Sequence, residues 1–251
     1  MSTNANVSDS MNVIAVIQAR MGSARLRGKV LSDLGGRPVL EWVIRAAKAS
    51  NVDDVIVATS VHSEDQTIVD LCWRLGVRVV RGDEQDVLSR YIVALEAGGA
   101  DAVVRLTSDC PLLDPELINQ VVAVWRCNPT LDYVSTTLNR TLPRGLDVEL
   151  AAAGALRQAD ARATGYHRVH VTSSLYEQDA PYACAGLTFR PAYNQFRVTL
   201  DEEADAIALA QLVEILGDHP PAWRDLVNAL VRHPEIVSIN ARVEQKTLME
   251  G

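Results

Sequence analysis

Between residues 18 and 29 the chain reads QARMGSARLRGK, and four of those side chains, Arg20, Arg25, Arg27 and Lys29, are cations. Directly before them stands VIAVI, a β-branched apolar run that reads as a buried strand over residues 13–17. In an open α/β sheet, a loop leaving the carboxyl end of a strand lies on the rim where ligands bind. Gln18 and Ala19 open that loop, Gly22 and Gly28 let its backbone come close to a ligand, and Ser23 adds a hydroxyl. Guanidinium forks and an ammonium placed there can neutralise a triphosphate. The alternative is a solvated basic turn. Two common nucleotide loops do not fit. Gly22 and Gly28 enclose five residues and Val30 follows Lys29, which is not Walker spacing, and there is no GxGxxG.

Two carboxylates have a matching placement. Asp109, in LTSDCPLLDP, follows a strand-like stretch over 102–106, and Asp201, in RVTLDEEAD, follows another over 196–200. Both then project at the same sheet edge as the basic loop. Together they can hold Mg²⁺, which commonly takes one or two protein carboxylates and completes its octahedron with phosphate and water. Asp201 can equally be the N-cap of the helix that follows it, and Asp109 a member of an Asp-Cys-Pro turn.

The elements that must carry these residues alternate. After the first strand and its loop, residues 38–50 have helical spacing, 55–58 is strand-like, and Ser63 with Gln66 resembles a capping box ahead of Ile68, Leu71, Cys72 and Leu75. A strand at 77–80, a helix at 84–96, the strand at 102–106 and a helix opening at Asp114-Pro115 continue the pattern. Later strands are expected at 131–136, 146–150, 182–189 and 196–200, and helices at 152–161, 202–216 and 223–231. The repetition predicts an α/β fold: a three-layer, mainly parallel, Rossmann-like sheet with right-handed crossovers. With no Pro/Gly/Ser-rich linker, residues 12–251 read as one domain behind a loose polar tail at residues 1–11.

Composition narrows the partners. A net charge of -8 argues against general binding to nucleic acid or to an anionic membrane, both of which need a broad cationic surface. No apolar run is long enough to span a bilayer. Cys72, Cys110, Cys127 and Cys184 are widely spaced and form no CxxC, so neither a zinc site nor a disulfide framework is indicated and a reducing cytoplasm fits.

Six segments in order, QARMGSARLRGKVL, RGDEQDVLSRY, VRLTSDCPLLDPELI, PRGLDVEL, HRVHVT and FRVTLDEEAD, cover most of residues 11–216. They resemble the cytidylyltransferases of the spore coat polysaccharide biosynthesis protein F type, whose wider relatives are CMP-KDO and CMP-sialic acid synthetases. The resemblance implies a fold of the nucleotide-diphospho-sugar transferase type and a homodimer. It implies that Arg20, Ser23, Arg25 and Lys29 contact the CTP phosphates, that Gln18, Ala19 and Gly22 belong to the same nucleotide site together with Arg81 and Asp83, and that Asp109 and Asp201 bind Mg²⁺. The chain departs from the family where Arg27 replaces a usual Pro, Ala24 a usual Ser or Thr, and Val169 and Ser173 a usual Glu and Pro.

The implied chemistry is attack of an acceptor oxygen on the α-phosphorus of CTP with loss of pyrophosphate, in which positioning and charge neutralisation do the work. Arg20, Lys29, Asp109 and Asp201 would carry it. A small acidic sugar, or a related acid or phosphate, is the expected acceptor. Arg168 and His170 are nominated to hold it, since Arg can grip an anion bidentately and His can exchange a proton; His167 and His170, three apart, can instead sit on a helix surface. Arg144 and Glu149 are weaker candidates that can also belong to a subunit contact. Two other readings remain: a non-catalytic nucleotide-sugar-binding protein, against which the joint presence of Lys29, Asp109 and Asp201 argues, and a glycosyltransferase, whose usual DxD is missing after residue 106.

Overall fold

In the computed structural model, which describes residues 11–244, strand β1 (Val13–Gln18) serves two cores at once. Val13, Ala15 and Ile17 enter one apolar cluster, and Ile14 and Val16 enter another on the opposite face. A strand's side chains alternate with period two, so a continuous apolar run requires cover on both sides.

That cover comes from the helices. A small hairpin, β2 (Asp33–Leu34) and β3 (Arg37–Pro38), leads into α1 (Val39–Lys48). Then follow β4 (Asp54–Ser60), α2 (Gln66–Arg74), β5 (Arg78–Gly82), α3 (Val87–Gly98), β6 (Ala102–Thr107) and α4 (Pro115–Cys127). The second half holds β7 (Tyr133–Ser135), β8 (Glu149–Ala152), α5 (Ala153–Arg162), α6 (Tyr166–His170), β9 (Cys184–Gly186), α7 (Glu203–Leu216), α8 (Trp223–Arg232) and α9 (Pro234–Ile239). Helices α1, α4, α7 and α8 supply buried side chains to the first cluster, and α3 and α5 to the second. Burying one Leu, Ile or Val side chain contributes about 1.5–3 kcal/mol, which makes these two clusters the main stabilising feature of the fold.

The large sheet runs β5-β4-β1-β6-β8-β7-β9. β1 pairs in parallel with β4 and β6, Gln18 lying opposite Ala58 on one side and Thr107 on the other. β8 is antiparallel to β6 and β7, so the sheet is mainly rather than wholly parallel. Since β1 is followed by a strand on one side and then by one on the other, the crevice between the carboxyl ends of β1 and β6 is the switch point where α/β sheets bind ligands.

Several local expectations change. The capping box at Ser63 and Gln66 does not form: a 3-10 turn (Ser63–Asp65) precedes α2, and Asp65 accepts instead from Met21 N, Ser60 N and Ser60 Oγ. Residues 196–200 are extended but join no sheet, because their backbone donors and acceptors go to loops: Arg144 N bonds Phe196 O (3.0 Å), Val198 N bonds Arg144 O (2.7 Å) and Leu200 N bonds Asp109 O (2.8 Å). Hairpin β2–β3 and helix α9 carry no strong periodicity and were not expected. Of the tail predicted at residues 1–11, all but Met11 lies outside the described residues.

Candidate active site

The Gln18–Lys29 loop and Asp109 do share one edge. Gln18 O accepts from Ser108 N (3.2 Å), which ties the ends of β1 and β6 together. The loop closes on itself where Met21 O receives both Ser23 N and Gly28 N, at 2.9 Å each. Gly28 has φ +72°, a left-handed conformation that glycine adopts without strain, and it turns the chain into the 3-10 turn Lys29–Leu31. Lys29 thereby enters the crevice, only 9% exposed.

Its ammonium donates to Asp109 Oδ2 (2.8 Å), Asp201 Oδ1 (2.8 Å) and Leu200 O (2.7 Å). Burial alone would pull its pKa down, but the two carboxylates outweigh burial and hold it above the ordinary lysine value. Asp109 sits in its expected turn, with Cys110 N donating to Thr107 O (3.3 Å), and its side chain still reaches Lys29. Burial and Asp109 keep the neighbouring Cys110 thiol well above its ordinary pKa, so it is no nucleophile.

Asp201 is not the helix cap. Glu202 caps α7 in a box with Asp205, whose Oδ2 accepts from Asp201 N (2.9 Å) and Glu202 N (3.0 Å). The Asp201 carboxylate is left for cations: Lys29, Arg25 (3.0 Å) and Arg197 (2.7 Å). Burial pushes its carboxyl up, yet Lys29 first, then Arg197 and Arg25, bring the net pKa below the usual value. Arg197 in turn bonds Asp205 through Nε (2.8 Å) and Nη2 (3.0 Å), and Asn240 completes the clamp on Asp205 Oδ1 (2.9 Å).

Two adjoining cavities share Gln18, Arg25, Thr107, Asp109 and Asp201. The first, about 220 Å³, is lined by the loop, by Ser108 and Val169, and by Arg90 of α3. Arg90 is 2% exposed, its Nε and Nη1 have no hydrogen-bond partner among the described residues, and burial lowers its pKa. Sequence reading missed it. The signal was a cation on the helix stripe formed by Val87, Leu88, Tyr91, Ala94 and Leu95, where charges are rarely placed without a purpose.

The second cavity, about 540 Å³, is lined among others by Arg105, Arg140, Arg144, Asp147, Glu149, His170 and Tyr176. Glu149 is buried in a network with Arg105, Tyr133 (2.7 Å) and Thr172. Arg140 is paired with Asp147 at 2.5 and 2.7 Å. No ion pair of Arg144 occurs among the described residues, and burial followed by nearby Arg140 lowers its pKa. Gly145 places it: a Cβ there would lie 2.7 Å from the Val198 backbone, so only glycine lets the two loops cross.

Other expected residues stand elsewhere. Arg81 bonds Ser60 O (2.9 Å), His62 O (2.8 Å) and Gln66 (3.0 Å), which ties β5 to the β4–α2 connection, and Asp83 accepts from Gln85 N (2.7 Å) and Asp86 N (2.9 Å), which builds the turn before α3; both line neither cavity. Arg168 lines neither; it joins Asp86, the N-cap of α3, to Asp160 (2.8 Å). His167 bonds Ser173 (2.8 Å) and Glu177 (3.1 Å), leaving His170 as the histidine at the cavity. Gly22 makes room for the Glu84 carboxylate, which pairs with Arg20 at 3.5 Å. Arg27 turns outward to Glu64.

Residues 14–217 match the cytidylyltransferase family. The chain belongs to that family. The cytidylyltransferase is 38% identical over 245 residues to an uncharacterized protein of Methanocaldococcus jannaschii, covering 96% of this chain and 99% of the other. It is 30% identical over 235 residues to the spore coat polysaccharide biosynthesis protein SpsF of Bacillus subtilis, covering 89% and 96%. Among solved structures, a cytidylyltransferase from Leptospira borgpetersenii superposes with a TM-score of 0.88 at 26% identity, covering 95% of this chain and all of that one. This cytidylyltransferase is accordingly a nucleotidyltransferase, with the mainly parallel, two-faced sheet of its relatives.

Proposed function

We propose that the enzyme transfers CMP from CTP to a small acidic sugar or related acid, with Mg²⁺ and release of pyrophosphate, as a step in building a surface polysaccharide or glycoconjugate. The observation that carries this is Lys29 standing between Asp109 and Asp201 at the rim of a cation-lined cavity, with a second, larger cavity adjoining. The role in surface polymers rests on the likeness to the Bacillus subtilis protein.

Two carboxylates from separate loops, with no cluster of three or more His, Cys, Asp or Glu among the described residues, suit an ion that takes its other ligands from phosphate and water. Asp109 and Asp201 would hold it, and bound there with the triphosphate it would offset charge on the α-phosphate and the leaving pyrophosphate. Arg20, Ser23, Arg25 and Lys29 grip the triphosphate, and Arg90 meets it or the nucleoside from below. In the larger cavity Arg144 holds the acceptor's anionic group and His170 faces its hydroxyl. The Arg105–Glu149 pair fixes the cavity wall. No protein nucleophile is needed, since the gain comes from alignment and charge neutralisation.

Asp109→Asn and Asp201→Asn should each fold and lose metal-dependent turnover, and the double variant should be no slower than the worse single one, because ligands of one ion act as a unit. Losses that multiply would separate the two residues and remove Asp201 from the metal site.

A further inference from the structure

Lys29 has two sets of partners under the function proposed above, and in the structure it holds one of them. Its ammonium gives one hydrogen bond each to Asp109 Oδ2, Asp201 Oδ1 and Leu200 O, at 2.8, 2.8 and 2.7 Å. An ammonium has three donors, so in this arrangement none is left for a phosphate. Arg25 is turned the same way, toward Asp201 at 3.0 Å and Glu202 at 3.8 Å. The cations meant for the triphosphate and the carboxylates meant for the metal therefore satisfy one another.

We propose that Lys29 is the resident cation of the two-carboxylate site, and that metal and triphosphate enter by one exchange, in which the ammonium passes from Asp109 and Asp201 to the phosphates. This rests on reading Asp109 and Asp201 as metal ligands. A divalent ion arriving alone must displace an ammonium that already holds both carboxylates, with no triphosphate to receive it. A triphosphate arriving alone must draw that ammonium away and leave Asp109 without it and Asp201 with Arg197 and Arg25. Arriving together, each supplies the partner that the other displaces. Binding of the two is thus positively coupled, and by linkage the coupling is the same in both directions. The side chain suits the task, since Lys carries a compact charge on a four-carbon stem that can swing while the backbone stays in its 3-10 turn.

Manganese(II) alone, titrated against CTP-free protein by electron paramagnetic resonance, reads the exchange without turnover. Wild-type protein should bind it weakly, and Lys29→Met about tenfold more tightly, a coupling of the usual size. Arg20→Met removes another cation of the same loop, one that touches Glu84 and neither carboxylate, and should stay within about twofold of wild type because solvent screens its field. Equal tightening in both variants would overturn the exchange in favour of a general field effect. An unchanged affinity in Lys29→Met, with manganese still held by CTP-loaded wild type, would overturn the exchange and leave the ligand assignment standing. No bound manganese even with CTP would overturn that assignment and the exchange with it. Should Lys29→Met not fold, Asp109→Asn gives the mirror test. With excess EDTA it should bind CTP about fivefold more tightly than wild type, since Lys29 has one partner fewer to leave. Equal or weaker binding would overturn the proposal.

Discussion

Arg197 donates from Nη2 to Asp201 Oδ2 at 2.7 Å and from Nε to Asp205 Oδ1 at 2.8 Å, so one guanidinium fixes a rim carboxylate against a fully buried one. Lys in its place keeps the charge but cannot bridge both carboxylates in a fixed fork. Arg197→Lys is expected to lower CTP turnover about 10²-fold, the scale of a misplaced catalytic group, while lowering stability by only about 1–3 kcal/mol. Steady-state assays with urea unfolding read both. Normal turnover would mean that Lys29 and Arg25 alone orient Asp201.

The same clamp sets an acid limit to stability. Burial pushes the Asp201 and Asp205 carboxyls up, but their cations and hydrogen bonds bring both net pKa values below the usual carboxylate value. A carboxyl with a depressed folded pKa contributes stability that is complete above its unfolded pKa of about 4 and is lost as pH falls through the folded value. The urea midpoint should therefore hold from neutral pH down to about 5 as far as these groups are concerned and fall below about 4. Asp201→Asn should show a shallower acid slope, and an identical slope would contradict the assignment.

Arg90 separates stability from function. A buried guanidinium whose Nε and Nη1 find no partner among the described residues destabilises the fold, and Met keeps its stem against Gly82. Arg90→Met should unfold at an equal or higher urea midpoint yet bind CTP about tenfold or more weakly, the worth of one hydrogen bond to a charged group. A more weakly folded variant with unchanged CTP affinity would give Arg90 a structural role instead.

The residues that carry charge at strand ends were legible because β1 and β6 are short, apolar and periodic, which fixes where the 18–29 loop and Asp109 emerge. Asp201 was placed correctly for a reason that did not hold: residues 196–200 follow a strand pattern but bond to loops, and their crossing with Gly145 depends on contacts 53 residues apart that no local pattern encodes. Arg81, Asp83 and Arg168, expected at the site from the family motif and from their charge, line neither cavity: Arg81 bonds the Ser60 and His62 carbonyls, Asp83 the amides ahead of α3, and Arg168 Asp86, partners that no local pattern encodes. Arg90 hid in an ordinary helix because its place on the apolar stripe shows that it faces inward but not that the end of β1 opens a cavity there.

The larger cavity makes its own prediction. Arg105 and Arg140 are each paired with a carboxylate, which leaves Arg144 for one anionic group of the acceptor. Arg144→Gln should raise the KM for an acidic acceptor about tenfold or more and leave the KM for CTP within about twofold, since one charge-assisted contact is lost at one substrate only. Equal effects on both KM values would move Arg144 out of the acceptor site.

The most direct measurement is pyrophosphate release from CTP in the presence of Mg²⁺ and a panel of sugar acids that includes 3-deoxy-manno-octulosonate. The expected result is release that requires CTP, the metal and at least one acid of the panel, with a cytidine monophosphate ester formed in equal amount and no release by Asp109→Asn. Binding of CTP without pyrophosphate release for any acid, or transfer of sugar from a nucleotide sugar by the same protein, would contradict the account.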